Sequence, residues 1–200
     1  KKKSESGAEG SDLRTEAIQY LAISFAEKDW NGDGQEDSET GVDRLERFYR
    51  GREGEPHVRE IYAKLGDIYF DTTEFFRAIA VYKRGLEKYP FHPDNPKVQD
   101  KVVMAFERQR DFDSALKERE RLARDYTKGS DWYKKNRDNK EAIDTAAELA
   151  ELALIQAAVN HHKAAQDLKK LAAAKRPPDP RMLEQIAKEY ADAALAYEKY

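Results

Sequence analysis

The stretch REIYAKLGDIYFDTTEFFRAIAVYKRGLEKYP, residues 59–90, decides how the rest of this chain is read. Its apolar residues recur at three- and four-residue intervals, which predicts two short helices, near Val58–Phe70 and Phe76–Tyr89. Upstream, Leu13, Ile18, Leu21, Ala22 and Phe25 keep the same spacing, and GVDRLERFY (41–49) resumes it before GREGEP (51–56) breaks it. Downstream, PFHPDNP (90–96) stops one helix and starts another. There Asp94 or Asn95 can accept from exposed N–H groups, and Pro96 suits a first turn in which a missing donor costs little.

Helices are expected near 96–109 and 112–126, hinged at QRDF, followed by a longer connection, TKGSDWYKKNRDN (127–139). An unbroken helical pattern then runs from Lys140 to Ala174. Its seam, Ile143, Ala147, Ala150, Leu154, Ala157, His161, Ala164, Leu168 and Leu171, alternates four and three and is rich in alanine, which admits a close neighbour. RPPDP ends that helix, and Asp179 with Pro180 opens a last one through Tyr200. The first ten residues, KKKSESGAEG, are small and polar and are expected to be a disordered tail. No segment alternates with period two for long enough to form a strand, so the class is all-α.

Within 59–90, Tyr62, Leu65-Gly66, Tyr69, Ala78, Tyr82, Gly85 and Pro90 fall at the spacing W-x₂-L-G-x₂-Y, A-x₃-F, P, and so this unit resembles the tetratricopeptide repeat. Tyrosine stands for the tryptophan and phenylalanine of that pattern. The resemblance implies two antiparallel helices crossing at Gly66 and Ala78, with Tyr69 and Tyr82 filling the wedge and Pro90 ending the second helix. Weaker copies flank it. Leu21-Ala22, Phe25, Gly41 and Leu45 match upstream, and Val102-Val103, Phe106 and Ala115 match downstream, where Arg119 replaces an aromatic. AKEYADAALAYEKY resembles a second helix running off the chain end, which implies that further repeats or domains follow.

The implied architecture is a right-handed stack of antiparallel helix pairs, a TPR-like α-solenoid over 11–200 with one long C-terminal helix. Units fall near 11–52, 59–92 and 96–127, with an irregular region at 138–200. One pair cannot bury its apolar face alone, so stacking supplies the core. Such repeats hold a peptide or partner helix in a concave groove. By analogy the groove residues here are Glu60, Ala63, Asp67, Phe70 and Asp71, then Lys97, Asp100, Met104, Glu107 and Arg108. Ala63 and Asp67 do not match the Lys and Asn that grip a C-terminal carboxylate in some relatives. The surplus of carboxylates favours a basic or amphipathic protein segment instead.

The seven-residue insertion upstream contains DWNGDGQED (29–37). Asp29, Asn31 and Asp33, then Gly34, the Gln35 carbonyl and Asp37 follow the order of an EF-hand loop: oxygen ligands at positions one, three and five, a glycine turn, a carbonyl, and an oxygen at nine. Hard oxygen donors without His or Cys select Ca²⁺ over Zn²⁺. Position twelve is Thr40 rather than Glu, and Glu39 or Asp43 is expected to complete the shell. The loop therefore resembles the short, dockerin-like loops of extracellular calcium modules more than a sensor EF-hand, with affinity in the ~10⁻⁵–10⁻³ M range. A saturated cage with no neighbouring histidine base points to a structural ion rather than a catalytic one.

Charged residues make up 38% of the chain at a formal net charge of −3, which gives no footprint for nucleic acid. The basic run Lys1-Lys2-Lys3 is too short to change that. With no cysteine, disulfides, thiol nucleophiles and zinc–thiolate sites are excluded. No apolar run approaches the roughly 20 residues that span a bilayer. His161-His162 point about 100° apart on a helix and cannot chelate one ion, so packing or hydrogen bonding is expected of them. Trp132 and Tyr133 are expected to roof the end of the long helix. Nucleophile, phosphate-loop and di-iron motifs are missing, so the chain is expected not to be an enzyme. The functional expectation is a protein-interaction scaffold with a structural calcium loop, or alternatively a calcium-responsive regulatory module of a larger complex. A modest calcium site and the avoidance of cysteine lean toward the periplasm or cell envelope, with the cytoplasm left open.

Overall fold

The computed structural model describes residues 2–174, 177 and 179–199, with side chains from residue 13 to residue 198 of that set. All regular structure among the described residues is helical: α1 (Lys2–Ala26), α2 (Gly41–Phe48), α3 (Pro56–Asp71), α4 (Phe75–Lys88), α5 (Asn95–Arg108), α6 (Phe112–Asp125), α7 (Asp131–Asn136), α8 (Lys140–Ala173) and α9 (Pro180–Lys199). The backbone of α1 begins inside the stretch whose composition reads as a tail, and the side chains there lie outside the described residues, as do Lys175, Arg176, Pro178 and Tyr200. The chain divides into two units, residues 1–90 and 91–200.

In the first unit α1 packs on α2 and α3, and α3 packs on α4. The core is aromatic and branched: Phe25 from α1, Leu45 from α2, Ile61, Tyr62, Leu65 and Tyr69 from α3, and Val81 and Tyr82 from α4. Small residues make this possible. A Cβ on Gly66 would overlap the Tyr82 ring, and one on Gly85 would stand 3.2 Å from the Tyr62 Cβ. Each helix thus offers a glycine to the other's tyrosine. Both rings end in hydrogen bonds, Tyr82 Oη to Asp67 at 2.6 Å and Tyr62 Oη to Glu46 at 3.1 Å. Burial, followed by these carboxylates, raises both phenols far above their ordinary range.

In the second unit α5 packs on α6, both pack on α8, and α9 lies along α8. Gln99 of α5 donates to Glu118 of α6 at 2.7 Å, a buried polar tie between the two helices, and Arg119 of α6 pairs with Glu107 of α5. Trp132 roofs the start of α8 against Leu122, Tyr126, Ala142 and Ala146, and its Nε1 donates to the His92 carbonyl at 2.8 Å. It does so from α7, a six-residue helix inside the expected connection, too short to carry a readable period.

Two local expectations are corrected, at the start of α5 and along α8. Neither Asp94 nor Asn95 caps α5 through its side chain; the Asp94 N–H donates to His92 Nδ1 at 3.2 Å, and Asn95 is buried. The 109–112 hinge turns through Arg110 at φ 61, with Asp111 capping α6 through the Ser114 N–H at 3.1 Å. On α8 the buried stripe is Ala142, Ala146, Ala150, Ala153, Ala157, Ala158, His161, Ala165 and Ala172, while Ala147 and Leu171 face solvent. A helix of 3.6 residues per turn drifts about 20° per heptad from a 3.5-residue repeat, so a strict four-three seam leaves the contact within a few turns. Asp179 does act as expected, accepting from the Arg181 N–H at 3.0 Å.

Candidate metal loop and partner surface

The loop from Asp29 to Asp37 is closed at its base by the Asp37 N–H donating to the Lys28 carbonyl at 2.8 Å. Gly32 and Gly34 take φ of 76° and 84°, a left-handed conformation open to glycine at little cost, and this curls the chain around its own side chains. Asp29 accepts from the Asp33 N–H at 2.9 Å and the Gly34 N–H at 2.8 Å, Asn31 Oδ1 accepts from the Asp33 N–H at 2.9 Å, and Asp33 accepts from the Gln35 N–H at 2.9 Å. Asn31 Nδ2 bridges Asp33 at 3.1 Å and Asp37 at 2.9 Å, placing a partial positive charge between two carboxylates.

Arg44 is the residue that sequence reasoning missed. On α2 it looks like one more solvent arginine, beside Arg47 at helical spacing, yet it is buried. It donates to the carbonyls of Phe25 and Glu27 at the end of α1, pairs with Asp37 at 3.0 Å, and stands 5.5 Å over the Trp30 ring. One guanidinium therefore caps α1 and fastens the loop. Of the four loop carboxylates, Asp37 is thus paired with Arg44 and Glu36 with Arg77, while Asp29 and Asp33 accept from the loop's own N–H groups. A buried arginine in this position can be found only from the packing of α1 on α2.

The remaining acids around the loop are engaged elsewhere. Glu39 is gripped by Arg47 through two bonds of 2.8 and 2.7 Å, which hold its carboxyl below the usual range. Asp43 closes a capping box with Thr40, at 2.5 Å to the hydroxyl and 3.1 Å to the N–H. The two carboxylates expected to complete the shell are thus held by Arg47 and by Thr40. Glu36 pairs with Arg77 of α4, and Lys28 with Glu74 at 3.1 Å, so the loop is bonded to the α3–α4 pair. Between them lies a cavity of about 200 Å³, walled by Asp37, Arg44, Tyr69 and Arg77. Gly41 stands at its edge because a side chain there would strike the Tyr69 hydroxyl and the Phe25 carbonyl.

Of the expected groove residues in the first unit, Glu60 pairs with Arg14 of α1, Asp67 holds Tyr82, Phe70 meets Phe75 edge-on at 5.3 Å, and Asp71 is exposed. In the second unit Met104 and Arg108 are exposed on α5. Asp100 is half-buried; burial first, and then the charge of Glu107, raises its pKa despite Arg119. A carboxyl desolvated beside another acid gains from any cation brought to it. Among the described residues no helix is long and apolar enough to cross a membrane. Comparison of the chain with family models, curated proteins and solved structures finds no match.

Proposed function

We propose that this chain is a non-enzymatic protein-interaction scaffold, each unit a right-handed stack of antiparallel helix pairs of tetratricopeptide kind, with the 29–37 loop holding Ca²⁺ as a structural ion. The observation that carries this reading is the reciprocal seating of Tyr82 against Gly66 and Tyr62 against Gly85. It is the packing that the small-and-aromatic pattern of that repeat requires, and it leaves carboxylates along α3. Glu60, Asp67, Phe70 and Asp71 form the partner surface of the first unit, and Asp100, Met104 and Arg108 offer similar chemistry in the second. A basic or amphipathic protein segment is the matching ligand. Asp29, Asn31, Asp33, Asp37 and the Gln35 carbonyl would hold the ion, and Glu39 would join them only by leaving Arg47. The ion supplies charge neutralisation and ties folding to metal. A modest calcium site fits an extracytoplasmic setting, periplasm or cell envelope, where calcium is abundant.

A second reading, a calcium-responsive regulatory module, is favoured by one observation: the Glu36–Arg77 and Lys28–Glu74 pairs connect the loop to the helix pair that carries the surface. One set of titrations separates the readings, using a synthetic basic amphipathic peptide with and without chelator. At calcium a hundredfold above its Kd the loop adds about 2.7 kcal/mol to stability. Peptide affinity stays constant for a scaffold and changes for a switch. Asp71→Lys weakens the peptide roughly tenfold, more at low salt. An unchanged melting temperature on adding calcium sinks the metal assignment, and an unchanged peptide affinity in Asp71→Lys sinks the surface.

A further inference from the structure

We infer that His161 is a proton-operated latch, holding α6 and α9 to α8 while the imidazole is charged and releasing α9 when it is neutral. The inference is independent of the scaffold reading. His161 lies on the buried stripe of α8 with 8% of its surface exposed. Its Nδ1 stands 2.7 Å from Glu189 Oε2 of α9, and its Nε2 stands 3.3 Å from Glu120 Oε1 of α6. The two carboxylates lie on opposite sides of one ring. An ionised carboxylate only accepts, and a neutral imidazole carries a single N–H. Only the doubly protonated ring satisfies both contacts; the neutral ring must turn a lone pair toward one carboxylate.

The other charged groups around the ring have partners of their own, and two of them, Arg124 and Lys188, also act through space on Glu120, Lys188 on Glu189 as well. From α6, Arg119 pairs with Glu107 of α5, and Arg124 pairs with Asp125 at 2.7 Å. From α9, Lys188 pairs with Asp192 at 3.1 Å. On α8, His162 turns toward the Tyr190 ring at 5.8 Å. At the far end of α8, Asp131 and Lys134 of α7 pair at 2.7 Å. The charges that act on His161 are Glu189 and Glu120. Burial is the largest single influence and pulls its pKa down, but the two hydrogen bonds and two negative charges together outweigh it, so the pKa is raised.

α9 runs along α8 over a long seam, but that seam buries few of its side chains. Among the described residues of α9 only Ala193 and Ala196 are buried, while Leu183 is 50% exposed and Leu195 53%. A cavity of about 350 Å³ lies between α8 and α9 near Ala172, Leu183 and Tyr190. A second, of about 560 Å³, has His161 in its wall together with residues of α6 and α9. Loss of the Glu189 partner removes the one buried polar tie that α9 makes to His161, and loosening of α9 opens the second cavity.

The sign follows from linkage. A group with a raised folded-state pKa contributes fully below its unfolded value, about 6.5, and the contribution is lost as pH rises through the folded value. The latch is closed in acid and opens toward alkaline pH. Hydrogen exchange of α9 peptides in the whole chain, corrected for intrinsic rates, tests this between pH 5.5 and 9, with α3–α4 peptides as the internal control. Protection of α9 is expected to fall with rising pH by roughly tenfold for each pH unit separating the two pKa values. In His161→Gln it should be low and flat. Glu189→Gln, nearly isosteric, should lower the His161 titration midpoint seen by proton NMR as well as α9 protection. This variant keeps the test decisive if the glutamine at 161 unfolds the chain. A purely packing role would lower protection equally at every pH. That result, an unchanged pH dependence in either variant, or a midpoint below 6.5 in the parent chain, overturns the inference.

Discussion

The α3–α4 pair and the α8–α9 pair bury themselves by opposite means. In the first, whole tyrosine rings sit on glycines, and each phenol finds a carboxylate. In the second, alanine meets alanine across a contact that leaves a cavity of about 350 Å³ and turns Leu183 and Leu195 to solvent. A ring in a socket fixes both register and angle, because few rotations fill the same space and satisfy the hydroxyl. An alanine seam brings backbones close but contains little that one register satisfies better than the next. The first pair is thereby suited to present a constant surface, and the second to move when one polar tie is cut.

The largest expected effect is on the socket. Tyr82→Ala removes the ring that fills the space over Gly66 and leaves Asp67 without its phenol donor. Loss of a buried aromatic side chain costs about 3–5 kcal/mol. Denaturant unfolding should show this as an early transition of the first unit. A loss below about 1 kcal/mol would mean that the interlock contributes little and that the contrast between the pairs is one of shape alone.

The next effect has the opposite sign and belongs to the alanine seam. Ala173→Leu extends a side chain into the cavity beside Leu183 and Ile186, and filling such a void is worth about 0.5–2 kcal/mol. A raised melting temperature, together with slower exchange in α9, is the expected outcome. A lowered one would show that the seam is already close-packed, and the contrast would fail from the other side.

The same contrast explains what the sequence disclosed. Helix positions and the all-α class were legible because apolar spacing is local, and the 59–90 unit was legible because its glycines and aromatics stand at fixed intervals. The α8 seam was right in the middle, at Ala150, Ala157 and His161, and off by one residue toward its ends, since an alanine-rich helix offers many near-equivalent stripes and only its neighbours choose among them. The break in the helical pattern at Asp29–Asp37 was legible from its two glycines. The loop's anchor was not, because the burial of Arg44 follows from the packing of α1 against α2. Likewise, nothing in the sequence around His161 names Glu120 and Glu189, which lie 41 and 28 residues away.

The smallest prediction compares two helix starts, one in each unit. Thr40 closes a reciprocal capping box with Asp43 at the head of α2, satisfying N–H groups at both ends of the box. Asp94 occupies the equivalent place before α5 but gives no side-chain cap, and its carboxylate pairs instead with Lys97 at 3.4 Å on the exposed surface. Thr40→Ala should therefore cost about 1 kcal/mol, the ordinary cost of a lost cap. Asp94→Ala should stay within about 0.5 kcal/mol, because its side chain makes no cap hydrogen bond and an exposed ion pair contributes little. Sequence alone ranks the two changes as equals, since Thr and Asp are both good caps. Equal losses in paired chemical denaturation would mean that the Asp94 side chain caps α5 after all; a larger loss at Thr40 ties the difference to the short α2, which has only eight residues to hold the loop's arginine in place.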